Sequence, residues 1–166
     1  MLERRALEIF WESGKILYMD SRFLKNEGFK YFGEFPPKNI KQLLSNLDFS
    51  GVYAFVINYR FDRLVGRTDV LYIGQAGYRN GRHISQRMHD YYKAYESAPQ
   101  DLRINQIITR LTKKRVGWLF NLRPFKNKIS VYCIKATNQN CGKMEQELLK
   151  KYFEDHSELP PLNRRY

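Results

Sequence analysis

Glu145 is the residue in this sequence that most needs a partner. On a wheel of about 100° per residue, Met144, Leu148, Leu149, Tyr152 and Phe153 fall within one half, and Glu145 lies in the middle of it. Gln146, Glu147, Lys150 and Lys151 take the opposite half. A carboxylate turned into an apolar face is costly unless it meets a cation or a metal, which singles out Glu145 over Glu147. The ordinary partner would be a neighbouring arginine or lysine. A second constellation is Arg87 with Tyr91, one helical turn apart, bordering a stripe of Ile84, Met88, Tyr91, Tyr92 and Tyr95. A solvated basic face is the ordinary fate of such an arginine. Arg82 is its rival, but it precedes the helix and lacks the partner four residues on. Tyr53 and Tyr72 sit in apolar runs where a core aromatic is the commonest role, and among 12 tyrosines neither stands out alone. Cys133 and Cys141 have no paired spacing, and His83, His89 and His156 are scattered. A zinc cluster and a disulfide framework are therefore excluded, and any metal must be held through oxygen.

Elements to position these groups are readable from pattern. Leu2, Ala6, Ile9, Phe10 and Leu17 recur at helical spacing, predicting an amphipathic helix over Leu2–Tyr18, and Phe23–Phe35 is aromatic and irregular. Pro36 and Pro37 open a short helix with Ile40, Leu43, Leu44 and Leu47 on one face, ending near Asp48. Gly51–Ile57 and Val70–Gly74 read as strands joined by a polar, glycine-containing hairpin loop. Helices over Ile84–Tyr95 and Leu102–Lys113, a strand over Ile129–Ala136 and a helix over Lys143–Phe153 follow, with Cys141 in a polar turn. That order predicts an α+β domain: a small, three-stranded, largely antiparallel sheet flanked by helices. Residues 1–50 form an N-terminal helical extension packed on a core of residues 51–166.

The chain has 166 residues, enough for one core and short for two. Its 29 Lys and Arg against 17 Asp and Glu leave a net charge of +12, which favours a polyanionic partner. An anionic membrane surface is the weaker candidate. The sequence has no apolar run near the length of a spanning helix and no signal-peptide core at MLERRALEIFWESGK, and its sparse cysteines suit a reduced cytoplasmic protein.

Gly51-Val52-Tyr53, then Leu71-Tyr72-Ile73-Gly74, then Arg87 with Tyr91, then Glu145, then Asn163 follow one another in an order that resembles the GIY-YIG nuclease superfamily. That superfamily includes excision-repair nucleases, homing endonucleases and some type II restriction enzymes. The resemblance runs from about residue 51 to 163. Val52 replaces the usual isoleucine, and the first two motifs are unusually far apart. GYRNGRHISQ precedes Arg87 and EDHSEL precedes Asn163 as extra loop length, and Gln75 stands where lysine or threonine often follows the second motif.

The resemblance implies a Mg²⁺-dependent phosphodiester hydrolase, with Mn²⁺ able to substitute. Glu145 would hold the metal and Arg87 would donate to the non-bridging phosphate oxygens. Tyr53, with Tyr72 as the alternative, would orient or deprotonate the attacking water. Tyr91 would be the polar group one turn after Arg87, and Asn163 would brace the site. A free phenol titrates near 10, so a tyrosine base needs strongly positive surroundings. Expected contacts to DNA are Gln75, Arg82, His83, Arg123 and Lys126, with the basic run Lys113, Lys114 and Arg115. A free-standing nuclease without a zinc finger or helix-turn-helix module fits a type II restriction endonuclease on double-stranded DNA, acting as a homodimer. Alternatives are a repair-like, phage or homing-type nuclease, and a non-catalytic nucleic-acid-binding module.

Overall fold

A computed structural model describes residues 19–77, 81–100 and 113–163. The helices expected over Leu2–Tyr18 and Leu102–Lys113 lie outside these residues, apart from Lys113 itself. The described elements are α1 (Ser21–Asn26), β1 (Lys30–Phe35), α2 (Ile40–Asn46), β2 (Gly51–Asp62), β3 (Arg67–Ala76), α3 (Ile84–Glu96), α4 (Lys113–Leu119), β4 (Ile129–Lys135) and α5 (Asn138–His156). They make an α+β fold around an antiparallel sheet ordered β1-β4-β2-β3.

The uncharged run at the start of β2 lies between β4 and β3 and is covered on both faces, so its first seven residues are all buried. Side chains alternate across a strand, and the two faces build different cores. Tyr53, Phe55 and Ile57 join Leu43 and Leu47, Ile84, Met88 and Tyr91 of α3, Val116 of α4, and Phe120. Val52, Ala54 and Val56 join Leu24 of α1 and Leu148, Leu149 and Tyr152 of α5.

The sheet has four strands where three are expected, because Lys30–Phe35 pairs with β4. This strand is an edge, with only Phe35 buried, and is irregular between Tyr31 and Gly33, so it carries no period-two apolar signal. Asn39, not the proline pair, starts α2, its side chain accepting from the Gln42 N–H at 3.2 Å. The expected hairpin loop is mostly strand, closing between Arg63 and Gly66 through a backbone hydrogen bond of 3.0 Å.

α5 is longer than its apolar pattern because Thr137 starts it within the polar TNQN segment. Cys141 is consequently a buried helix residue, not a turn residue, and the buried stripe runs Cys141, Leu148, Leu149, Tyr152 and His156. Phe153 falls outside that stripe and is 43% exposed. Glu145 stands four residues after Cys141 and four before Leu149, on the inward stripe, whereas Glu147 is exposed and pairs with Lys143 at 3.7 Å. No helix among the described residues is long and apolar enough to cross a membrane.

Candidate active site

The register of β2 on β3 sets Tyr53 opposite Gly74 and Phe55 opposite Tyr72. Both tyrosines therefore stand on the same face of the sheet, one on each strand. The glycine between them is a steric necessity. A Cβ at Gly74 would lie 2.6 Å from the Tyr72 ring and 2.8 Å from that of Tyr53, closer than packed carbons approach. Gly51 is equally constrained, since a Cβ there would meet the Ile134 carbonyl oxygen at 2.0 Å.

α3 crosses this face and lowers Tyr91 onto the pair. The Tyr91 and Tyr53 hydroxyls share a hydrogen bond of 3.3 Å. Ring centroids are 6.0 Å apart for Tyr53 and Tyr72, and 6.3 Å for each of these with Tyr91. Gly117 of α4 permits the crossing, because a Cβ there would sit 2.5 Å from Ala94 and 2.7 Å from the Tyr91 carbonyl oxygen. An isolated glycine in a helical run is a legible sign of such close approach, but its use beside Tyr91 is visible only in three dimensions.

The phenols are not equivalent. Tyr53 is 1% exposed, whereas Tyr72 is only half-buried. Burial holds the phenols of Tyr53 and Tyr91 well above their ordinary value. Burial also raises that of Tyr72, with donation from the Tyr91 hydroxyl opposing it. Two further charges act on Tyr72: Glu145 pushes the phenol up and Arg87 pulls it down. A carboxylate from α5 and a guanidinium from α3 thus lie within electrostatic reach of one hydroxyl. Arg87 Nε is buried without a hydrogen-bond partner, and no carboxylate pairs with this side chain among the described residues.

Asn163 secures the outer edge of β3. Its side-chain amide accepts from the Ile73 N–H at 2.9 Å and donates to the Ile73 carbonyl at 2.7 Å, while the Leu162 N–H donates to the Leu71 carbonyl at 3.0 Å. These bonds bracket Tyr72 on both sides along the strand.

The expected DNA contacts are dispersed. Gln75 turns to α5, where the Cys141 thiol donates to its oxygen at 3.5 Å. Arg82 is exposed and pairs with Asp90 at 3.4 Å. His83 precedes α3, with Nδ1 2.6 Å from Asp48, a carboxylate the sequence does not flag. Its hydrogen bonds to His83 and then Ser85 hold the Asp48 carboxyl below its usual range. Lys113, Lys114 and Arg115 open α4, and Arg123 and Lys126 are exposed on the turn that follows it. Two concavities of about 430 and 440 Å³ both include Phe32 and Asn46, beside β1, and neither contains any of the three phenols.

Among the described residues no three His, Cys, Asp or Glu side chains converge as metal ligands. No family model, curated protein or solved structure matches the chain.

Proposed function

We propose that the chain is a Mg²⁺-dependent DNA endonuclease of the GIY-YIG type, acting on double-stranded DNA as a type II restriction enzyme and working as a homodimer. One observation carries the reading: Tyr53, Tyr72 and Tyr91 cluster beside an arginine with no carboxylate partner and within reach of the charge of Glu145. The motifs are far apart in sequence and come from β2, β3, α3 and α5. A fortuitous series of tripeptides has no reason to converge in this way.

Residues of this site fit a magnesium ion. Glu145 supplies a hard oxygen donor on an inward helix stripe, and one carboxylate suits an ion that keeps most of its waters. Bound Mg²⁺ would neutralise charge at the scissile phosphate and the leaving oxygen. Arg87 donates to the non-bridging oxygens, which gives its unpartnered Nε an acceptor. Tyr72, the half-buried phenol, faces the attacking water, and Tyr53 acts behind it through Tyr91. This reverses the order of preference that motif position alone suggests. Burial holds the Tyr72 phenol above its ordinary value, so it serves to orient the water, and the positive charge of Arg87 is what favours loss of its proton.

Plasmid DNA incubated with Mg²⁺ tests the reading. The parent chain gives discrete fragments, whereas Glu145→Ala and Arg87→Ala each cut at least about a hundredfold more slowly, as removing one preorganised charge generally does. Parental rates in both variants would place the chemistry elsewhere. The competing reading is a non-catalytic nucleic-acid-binding module, favoured by the upward shift of all three phenols. Salt-sensitive binding without cleavage in Mg²⁺ or Mn²⁺ would establish it.

A further inference from the structure

Most arginines of the described chain are matched to acids. Arg22 and Arg60 both reach Asp20, Arg63 meets Glu158 at 2.7 Å, Arg67 meets Asp62 at 3.0 Å, and Arg82 meets Asp90 at 3.4 Å. Among the arginines whose side chains are described, the exceptions are Arg87 and Arg123, which have no carboxylate partner among the described residues; neighbouring Lys126 has none either. The cause lies in the sequence, which has no acidic residue between Asp101 and Glu145.

The backbone presents these cations firmly. Hydrogen bonds from Leu122 N to Leu119 O (3.0 Å), Phe125 N to Leu122 O (2.9 Å), Lys126 N to Leu122 O (2.9 Å) and Lys128 N to Phe125 O (3.0 Å) wind the chain into successive turns. Leu122 and Phe125 point inward, packing against the core that holds Tyr53 and Tyr91. Arg123 and Lys126 point outward. Lys128 then lies with Nζ 5.6 Å from the ring centroid of Tyr59, which is 43% exposed, and its carbonyl accepts from the Asn58 N–H at 3.0 Å. A side chain held over a ring has already lost part of the freedom it would lose on binding.

We propose that Arg123, Lys126 and Lys128, with Tyr59 beneath Lys128, form a second grip on the backbone of duplex DNA, flanking the phosphate held at Arg87. The assignment rests on the nuclease reading and extends it to where the substrate runs. Tyr59 lies four residues along β2 from Phe55, the partner of Tyr72. At about 3.3 Å per residue that is at most ~13 Å, or about four base-pair steps along the duplex. Three cations without acids position phosphates and read no bases, so the grip is indifferent to sequence. A membrane is the poorer fit, because the cations flank one tyrosine and no broad apolar face that would enter a bilayer.

The test is a salt titration of binding by the full chain to a fluorescein-labelled duplex, in EDTA to prevent cleavage. R123Q/K126Q/K128Q should lower the slope of log affinity against log salt by about two to three, since each phosphate contact contributes roughly 0.9. Arg123→Gln alone should lower it by about one. Arg67→Gln, which removes an arginine already matched to Asp62, should leave the parental slope. An unchanged slope in the triple variant overturns the second grip, as does equal binding of the parent to phosphatidylserine vesicles with the same loss in the variant. If the parent itself fails to bind duplex at low salt, the nuclease reading falls first.

Discussion

The two faces of the sheet treat charged groups differently. On the α5 side, Asp20, Thr68 and His156 are buried and each has partners. Asp20 takes Arg22, Arg60 and two backbone N–H groups, Thr68 donates to Met19, and the nitrogens of His156 lie 2.8 Å from the Val65 carbonyl and 3.1 Å from that of Met19. The Tyr152 hydroxyl and Arg63 Nε are the exceptions there, although the rest of the Arg63 guanidinium is held by the Leu159 carbonyl and Glu158, and Thr68 and Arg63 lie near enough to oppose the upward push of burial on the Tyr152 phenol. On the α3 side, phenols bond to one another and Arg87 Nε bonds to nothing. Buried polar atoms normally find partners because an orphan costs on the order of 1–3 kcal/mol. On the α5 face the arginine with an orphan nitrogen still has a carboxylate, Glu158, whereas on the α3 face Arg87 has none among the described residues, which is the place the proposed substrate phosphate would take.

That contrast can be broken or sharpened by substitution. Tyr72→Phe should lower cleavage by about a hundredfold, within the range for losing one group that handles a reacting proton. Tyr53→Phe should lower it less, because its hydroxyl is shut away from solvent. Equal losses in the two variants, measured at saturating DNA, would erase the distinction between them. On the α5 face, Asp20→Ala should cost about 2 kcal/mol in urea unfolding. It removes the α1 cap, typically worth about 1 kcal/mol, and a carboxylate whose arginines are exposed enough for solvent to screen them. Cleavage per folded molecule should stay at the parental value.

The smallest expected effect concerns pH. Tyr53, Tyr72 and Tyr91 titrate higher folded than unfolded, so their contribution to stability is complete below about pH 10 and declines as pH rises toward the folded values. Chemical denaturation followed across that range should show stability falling only above about pH 10. A decline beginning near neutrality would mean that these phenols are not enclosed as described.

Glu145 was legible without coordinates, because a carboxylate amid Leu148, Leu149 and Tyr152 violates the pattern of its own helix. The extent of that helix was not, since TNQN looks like a turn until Thr137 and the buried Cys141 place it. β1 escaped notice for the opposite reason. An exposed edge with a glycine irregularity has little burial to impose a pattern on its residues. No local signal says that Tyr53 and Tyr91, 38 residues apart, share a hydrogen bond. Arg123 differs from Arg67 in sequence by its acid-free surroundings, but that it is exposed while Leu122 and Phe125 pack inward is visible only in three dimensions.

The fastening of Asn163 and Leu162 along β3 has a consequence for colloidal behaviour. A terminal strand with vacant amides and carbonyls is a template onto which another molecule's strand can grow. Here Leu71 and Ile73 are already engaged by residues of the same chain, so this margin is poorly suited to intermolecular strand growth. Cutting that tie by Asn163→Ala therefore exposes a sticky border as well as loosening Tyr72.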